Sequence, residues 1–360
     1  MDVSAKITGI KYKPYLCREL KTYDIKNLAD AFDKDASFIL KFNKDMQIAV
    51  SWWVSAKRTR SYPYSRVYDT LGFQGKKVTI IPIFKDEGKE GDRDFLQWDT
   101  ISLMSLLGVY TIVSYYNQAD KSTRYDHKIT NQRFDTKHLQ HNFTNLLSYQ
   151  SDALHWNLSQ IDAVGEVAEK ALAAYKNISK KLNVEMHSFT TANSRVQELM
   201  KGKENFMNLS RSLAQKAQAR EKTTVQPKEQ LNGTKATLTI KNYLGGYYYF
   251  TSDEAKLIKN SICLIEGKHS MGSMLPSTED IKDGLIKMIL FCNLKEVKIS
   301  DKEYTPLPVL KLTSDTDFFI EDLSPSKIDL LKLLAKESIV NKFEVLINGK
   351  KLHDYQHFKN

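Results

Sequence analysis

Asp253 and, thirteen residues further on, Glu266-Gly267-Lys268 have the residue types and spacing that hydrolytic chemistry requires. If Ser261 to Lys268 (SICLIEGK) forms a strand, side chains two apart point the same way, so Glu266 and Lys268 share one face. With Asp253 ending the neighbouring strand, two carboxylates converge beside one ammonium. Such a pair suits Mg²⁺, which takes one or two carboxylates and completes its shell with water and substrate phosphate. The reaction this set fits is phosphodiester hydrolysis, in which positive charge must neutralise a strongly anionic transition state and a lysine orients or deprotonates the attacking water. The simpler alternative is an ion pair between Lys268 and either carboxylate at a strand end. Apolar residues run directly up to Glu266, however, and an unpaired charge at the rim of a core is costly.

An acidic residue ending one strand, a variable connection and then E-x-K on the next strand is the pattern of the PD-(D/E)XK nuclease superfamily. The segment 251–270, TSDEAKLIKNSICLIEGKHS, resembles it through Asp253, Glu266 and Lys268, with Ser252 where the pattern writes proline. The resemblance covers about 90 residues, roughly Lys222 to Leu312. It implies an α/β core (α+β overall), a mixed β-sheet flanked by helices, with additional helical and N-terminal α+β regions. It also implies that Asp253, Glu266 and Lys268 are catalytic, that Asp253 and Glu266 bind Mg²⁺, and that Lys268 positions or activates water. A basic chain of this length with large extra regions is most similar to a type II restriction endonuclease. That likeness implies sequence-specific, Mg²⁺-dependent cleavage of double-stranded DNA by a homodimer in the cytoplasm of a prokaryotic cell. Two rivals remain: a repair or recombination nuclease of the same superfamily, and a non-catalytic DNA-binding protein in which the trio is only an ion pair. His269 and Ser270 stand within reach of a scissile phosphate. Glu254 could replace Asp253 if the strand register slipped by one, and Glu221 and Glu229 are minor candidates for a further carboxylate.

The elements needed to position the trio are legible around it. Lys235 to Ile240 is rich in β-branched residues, and Gly245-Gly246 precedes the aromatic run Tyr247 to Phe250, so two strands are expected before the E-x-K strand. Ser277, three residues before Asp280, caps a helix over about Thr278 to Asn293, on which Ile281, Leu285, Met288, Ile289 and Cys292 form one apolar stripe. A short strand is expected at Val309 to Leu312. Upstream, residues 152–221 are rich in Ala, Leu, Lys, Glu and Gln and predict about three helices, the last around Phe206 to Lys222. Nearer the N-terminus, Lys76 to Phe84 reads as a strand weakened by Pro82, and Trp98 to Tyr116 as one buried helix. The expected organisation is an N-terminal α+β region (1–150), a helical region (151–222) and a catalytic core with a C-terminal extension (223–360).

Composition narrows the partners. A chain of 360 residues with 41% hydrophobic and 27% charged residues has room for about two folded domains. No apolar run approaches the roughly 20 residues of a membrane span, and no secretory stretch opens the chain, so an intracellular protein with no membrane partner is expected. Cys17, Cys263 and Cys292 lack both disulfide and zinc spacing. The balance of 53 basic against 43 acidic residues, a net charge of +10, favours a polyanionic partner. In SWWVSAKRTRSYPYSR (51–66), Lys57, Arg58, Arg60 and Arg66 alternate with aromatic residues and no acid, a candidate DNA-contact surface; the competing reading buries the tryptophans and leaves the cations solvated. The acidic stretch after Phe84 reads as a solvated, glycine-broken loop. Asp69, Ile83 and Lys85 imitate the nuclease spacing, but Ile83 occupies the glutamate's place.

Overall fold

The computed structural model describes residues 1–57, 60–200, 234–243 and 246–355. The chain is a mixed α and β protein that divides into two compact units, one made of Met1–Glu19 with Leu213–Asn360 and the other of Leu20–Ser212. No helix among the described residues is long and apolar enough to cross a membrane.

The first unit is built on a nine-stranded sheet. Its centre is the antiparallel hairpin Tyr247–Ile258 and Ser261–Ser270, with Thr234–Lys241 antiparallel on one side and Thr305–Ser314 parallel on the other. Glu344–Ile347 extends the parallel part. The parallel pairing of Ser261–Ser270 with Thr305–Ser314 requires a crossover, and the helix Thr278–Phe291 lies in it. Ser277 accepts the backbone N–H of Asp280, the expected N-cap. The apolar stripe is wider than anticipated: Leu285, Ile286, Met288, Ile289, Leu290 and Phe291 are all buried, so the helix is covered nearly all round. Each fully buried side chain of this size contributes about 1.5–3 kcal/mol. The expected strand at Val309 to Leu312 is the middle of Thr305–Ser314.

The domain boundaries differ from the expected three regions. Asp2–Lys6 pairs in parallel with Thr234–Lys241, and Ile7 N–H donates to the Lys241 carbonyl at 2.9 Å, which ties the N-terminus to the C-terminal unit. The described part of the expected helical region, residues 151–200, does not stand apart either. Its helix Ala153–Asp162 is bound to the strand Tyr110–Ser114, because Asn157 accepts from Thr111 N–H at 2.7 Å and donates to the Val109 carbonyl at 2.9 Å, and Trp156 Nε1 donates to the Thr111 carbonyl at 2.8 Å. Buried backbone polar groups at a sheet edge need such partners. The helix expected around Phe206 to Lys222 lies outside the described residues.

The second unit carries a five-stranded sheet in the order Thr22–Asp24, Ser37–Lys41, Gln47–Trp52, Lys77–Pro82, Tyr110–Ser114. Lys77–Pro82 is an inner strand after all: Pro82 sits at its last position, where a missing N–H costs little. The single helix expected over Trp98 to Tyr116 is instead a helix, Trp98–Leu106, followed by a strand. Gly108, at φ +69°, reverses the chain, and the β-branched Thr111, Ile112 and Val113 then pair with the inner strand.

Candidate active site

Glu254 is opposite Ile265 in the hairpin ladder and therefore shares its face; Asp253 and Glu266 belong to the other. A register shift against Thr234–Lys241 places one extra residue in the segment Ser252–Ala255, a β-bulge of the kind that re-aims side chains. Ser252, fully buried, donates to the Ile265 carbonyl at 2.9 Å and closes the hairpin just below the bulge. One residue later, the Gly267 N–H donates to Asp253 Oδ2 at 2.9 Å, a side-chain acceptor in place of a ladder bond.

Lys268 approaches Glu266 Oε1 at 3.2 Å and also pairs with Asp283 on the helix Thr278–Phe291. Lys287, one turn further along that helix, lies 3.1 Å from Glu266 Oε2 and donates to the Thr251 carbonyl at 2.7 Å. Glu266 is 2% exposed and Lys287 5%, so these charges meet in a poorly solvated place where their interactions count. Burial, and next the charge of Glu266, push the Asp253 carboxyl up to about 7, while Lys287 and Lys268 act in the opposite direction. A carboxyl raised by burial and by a neighbouring carboxylate is one that a cation would relieve. Among the described residues, no group of three or more His, Cys, Asp and Glu gathers to cage a metal. Asp253 and Glu266 are two carboxylates, a number with which Mg²⁺ is commonly held when water and phosphate oxygens complete its shell.

Gly284 permits the close approach of helix and sheet. A Cβ there would lie 2.7 Å from Leu310 Cδ1 and 3.3 Å from Lys268 Cε. Gly284→Ala is accordingly expected to lower stability by about 1 kcal/mol, despite the helix propensity gained, because Leu310 is fully buried and has little room to move. Urea unfolding midpoints of the two proteins check it.

Other expected site residues do not join this group. Glu254 turns to the opposite face, fully buried, with Lys256 at 2.7 Å and Lys311 at 3.5 Å. His269, by the same alternation, also points away, with Nδ1 3.0 Å from Thr313 Oγ1. Ser270 is on the face of Lys268 and meets Ser273 Oγ at 2.8 Å. Glu221 and Glu229 lie outside the described residues. Asp283 and Lys287 were missed by the sequence reading, although their i, i+4 spacing, with Lys287 among the apolar residues of the helix's second half, marks them.

Lys57, Arg60 and Arg66 belong to the second unit, and Arg58 lies outside the described residues. Trp53 is fully buried, and the Arg66 guanidinium stands 4.6 Å from the Trp52 ring centre while donating to the Trp52 carbonyl at 2.9 Å. Arg60 is clasped by Glu87 (3.1 Å), Asp94 (2.9 Å) and Asp92. The acidic stretch is therefore only partly solvated, since Asp86 and Asp94 are buried, Asp86 against His187 and Asp94 against Arg60. More accessible positive charge sits on the ribbon Tyr116–Lys121 and Ile129–Phe134, at Lys121 and Arg124 beside the exposed Tyr125. A cleft of about 480 Å³ beside this ribbon is lined in part by Trp52, Lys85 and Tyr116. Asp69, in the helix Pro63–Thr70, forms no counterpart of the nuclease hairpin.

Compared with protein-family models, with curated proteins and with solved structures, the chain matches none of them.

Proposed function

We propose that the chain is a Mg²⁺-dependent nuclease of the PD-(D/E)XK kind that hydrolyses phosphodiester bonds in double-stranded DNA, most like a type II restriction endonuclease. The observation that carries this reading is the meeting of Asp253, Glu266 and Lys268 at a bulged point of the central hairpin, with a helix seated over them. Asp253 and Glu266 would hold the ion. Bound there, Mg²⁺ would polarise the phosphate and make its water ligand more acidic. Lys268, kept in place by Glu266 and Asp283, orients the attacking water and adds positive charge beside the phosphate. The water oxygen bonds to phosphorus as its proton passes to solvent, the P–O bond to the deoxyribose oxygen breaks, and that oxygen takes up a proton from water, with the developing charge neutralised. The basic residues of the second unit, Lys57, Lys121 and Arg124 among them, supply phosphate contacts that set position without reading sequence. A homodimer would present two such sites, one for each strand of a palindromic duplex.

A second reading is favoured by the same ion pairs. Lys268 and Lys287 pair with Glu266 within the protein, and Asp283 pairs with Lys268, as they would in a non-catalytic DNA-binding chain. Digestion of a fully sequenced plasmid with and without Mg²⁺ separates the two. Discrete fragments that appear only with Mg²⁺ are the expected result. End-dependent or structure-dependent cutting would indicate a repair nuclease, and intact plasmid under every divalent cation would leave the binding protein.

A further inference from the structure

We propose that Lys287 fills, with its own ammonium, the position of a second cation beside Asp253 and Glu266, so that the site takes one divalent ion. The inference rests on the nuclease reading above and concerns how that site is charged. The two lysines around Glu266 are held differently. Lys268 shares its charge between Glu266 and Asp283. Lys287 has a neutral second partner, the Thr251 carbonyl at 2.7 Å, and its charge is directed at the carboxylates. It is 5% exposed, on a helix whose neighbouring Ile286 and Met288 are fully buried. Burying an ammonium among apolar residues is costly unless carboxylates offset it, and a hydrophobic side chain would serve packing better. Withdrawing it would leave the Thr251 carbonyl, also buried, without this donor.

Charge counting gives the same result. With every group ionised, Asp253, Glu266 and Asp283 bring three negative charges and Lys268 and Lys287 two positive ones, a net of −1. One divalent ion brings the cluster to +1, suited to a single phosphate. Two would bring it to +3 in a poorly solvated place, at a large desolvation and repulsion cost. Without Lys287 the cluster begins at −2, and two ions bring it only to +2.

Mn²⁺ binding to the full chain, followed by electron paramagnetic resonance of the free ion, tests this without any cleavage assay. The wild type is expected to saturate at one Mn²⁺ per chain. Lys287→Gln, whose amide can still donate to Thr251, is expected to saturate at two, and Lys287→Arg, which keeps the charge, at one. Two ions on the wild type, or one on Lys287→Gln, would overturn the proposal while leaving a metal-dependent nuclease intact. Mn²⁺ bound equally well by Glu266→Gln, or by none of these proteins, would remove the nuclease reading together with it. Should Lys287→Gln fail to fold by circular dichroism, Lys287→Met, which also removes the charge, replaces it, with two ions expected and one overturning the proposal.

Discussion

Glu266→Gln and Lys268→Ala are each expected to slow cleavage by roughly 10²–10⁴-fold, with duplex affinity held within a few-fold of the wild type. The glutamine keeps the shape of the side chain and one acceptor, and it removes the charge that faces Lys268 at 3.2 Å and Lys287 at 3.1 Å. The alanine removes the ammonium that Glu266 and Asp283 hold between them. Neither change touches the basic residues of the second unit, where most phosphate contacts are proposed, so binding and cutting separate. Single-turnover rates on a linear duplex, set beside gel-shift affinities measured with Ca²⁺, check both halves. Undiminished cutting by either variant would remove the trio from the chemistry.

Asp253→Asn is expected to make the metal-free protein more stable above neutral pH. The Asp253 carboxyl, at about 7 in the fold against an ordinary value of 3.8, binds its proton more tightly folded than unfolded. The folded state therefore holds more protons across that interval, and stability falls as pH rises from about 4 to about 7. Below the unfolded value the contribution is complete; above the folded value it is lost. The difference of about three pK units corresponds to an upper bound of about 4 kcal/mol. Asp253 is only half-buried, and screening by solvent reduces the expected effect to about 1–2 kcal/mol. Asparagine keeps an oxygen to accept the Gly267 N–H and has no charge to repel Glu266. Thermal melts at pH 5 and pH 8 should show the wild type losing stability between them and Asp253→Asn losing less. Added Mg²⁺ should raise the wild-type melting temperature at pH 8 and leave that of the variant nearly unchanged. Equal pH dependence in the two proteins would mean that neither burial nor the charge of Glu266 raises the Asp253 carboxyl in the fold.

Much of the hairpin could be read from local pattern. The strand Ser261–Ser270 showed itself as an apolar run, the capped helix after it as a 3.6-residue stripe, and the shared face of Glu266 and Lys268 as simple alternation. Local pattern failed where two signals overlapped. In 98–116 the helical spacing of Leu103, Leu106 and Leu107 continues past Gly108 to Tyr110 as though one helix ran through, and the positive φ at that glycine divides it from a strand of β-branched residues. The basic segment 51–66 left two readings open. Trp53 belongs to the core and Arg60 is clasped by acids, whereas Lys57 stays exposed, a division that residue types alone do not encode.

The sequence by itself determined which groups can do the chemistry and which share a face of a strand, because side-chain direction within a strand repeats every two residues. Tertiary structure alone decided that Asp2–Lys6 completes the sheet beside Thr234–Lys241, that a bulge turns Asp253 to the Gly267 N–H, and that Asp283 and Lys287 reach Lys268 and Glu266. Those contacts join residues distant along the chain or on different elements, and their energies depend on what is packed around them. No periodicity within one segment encodes them.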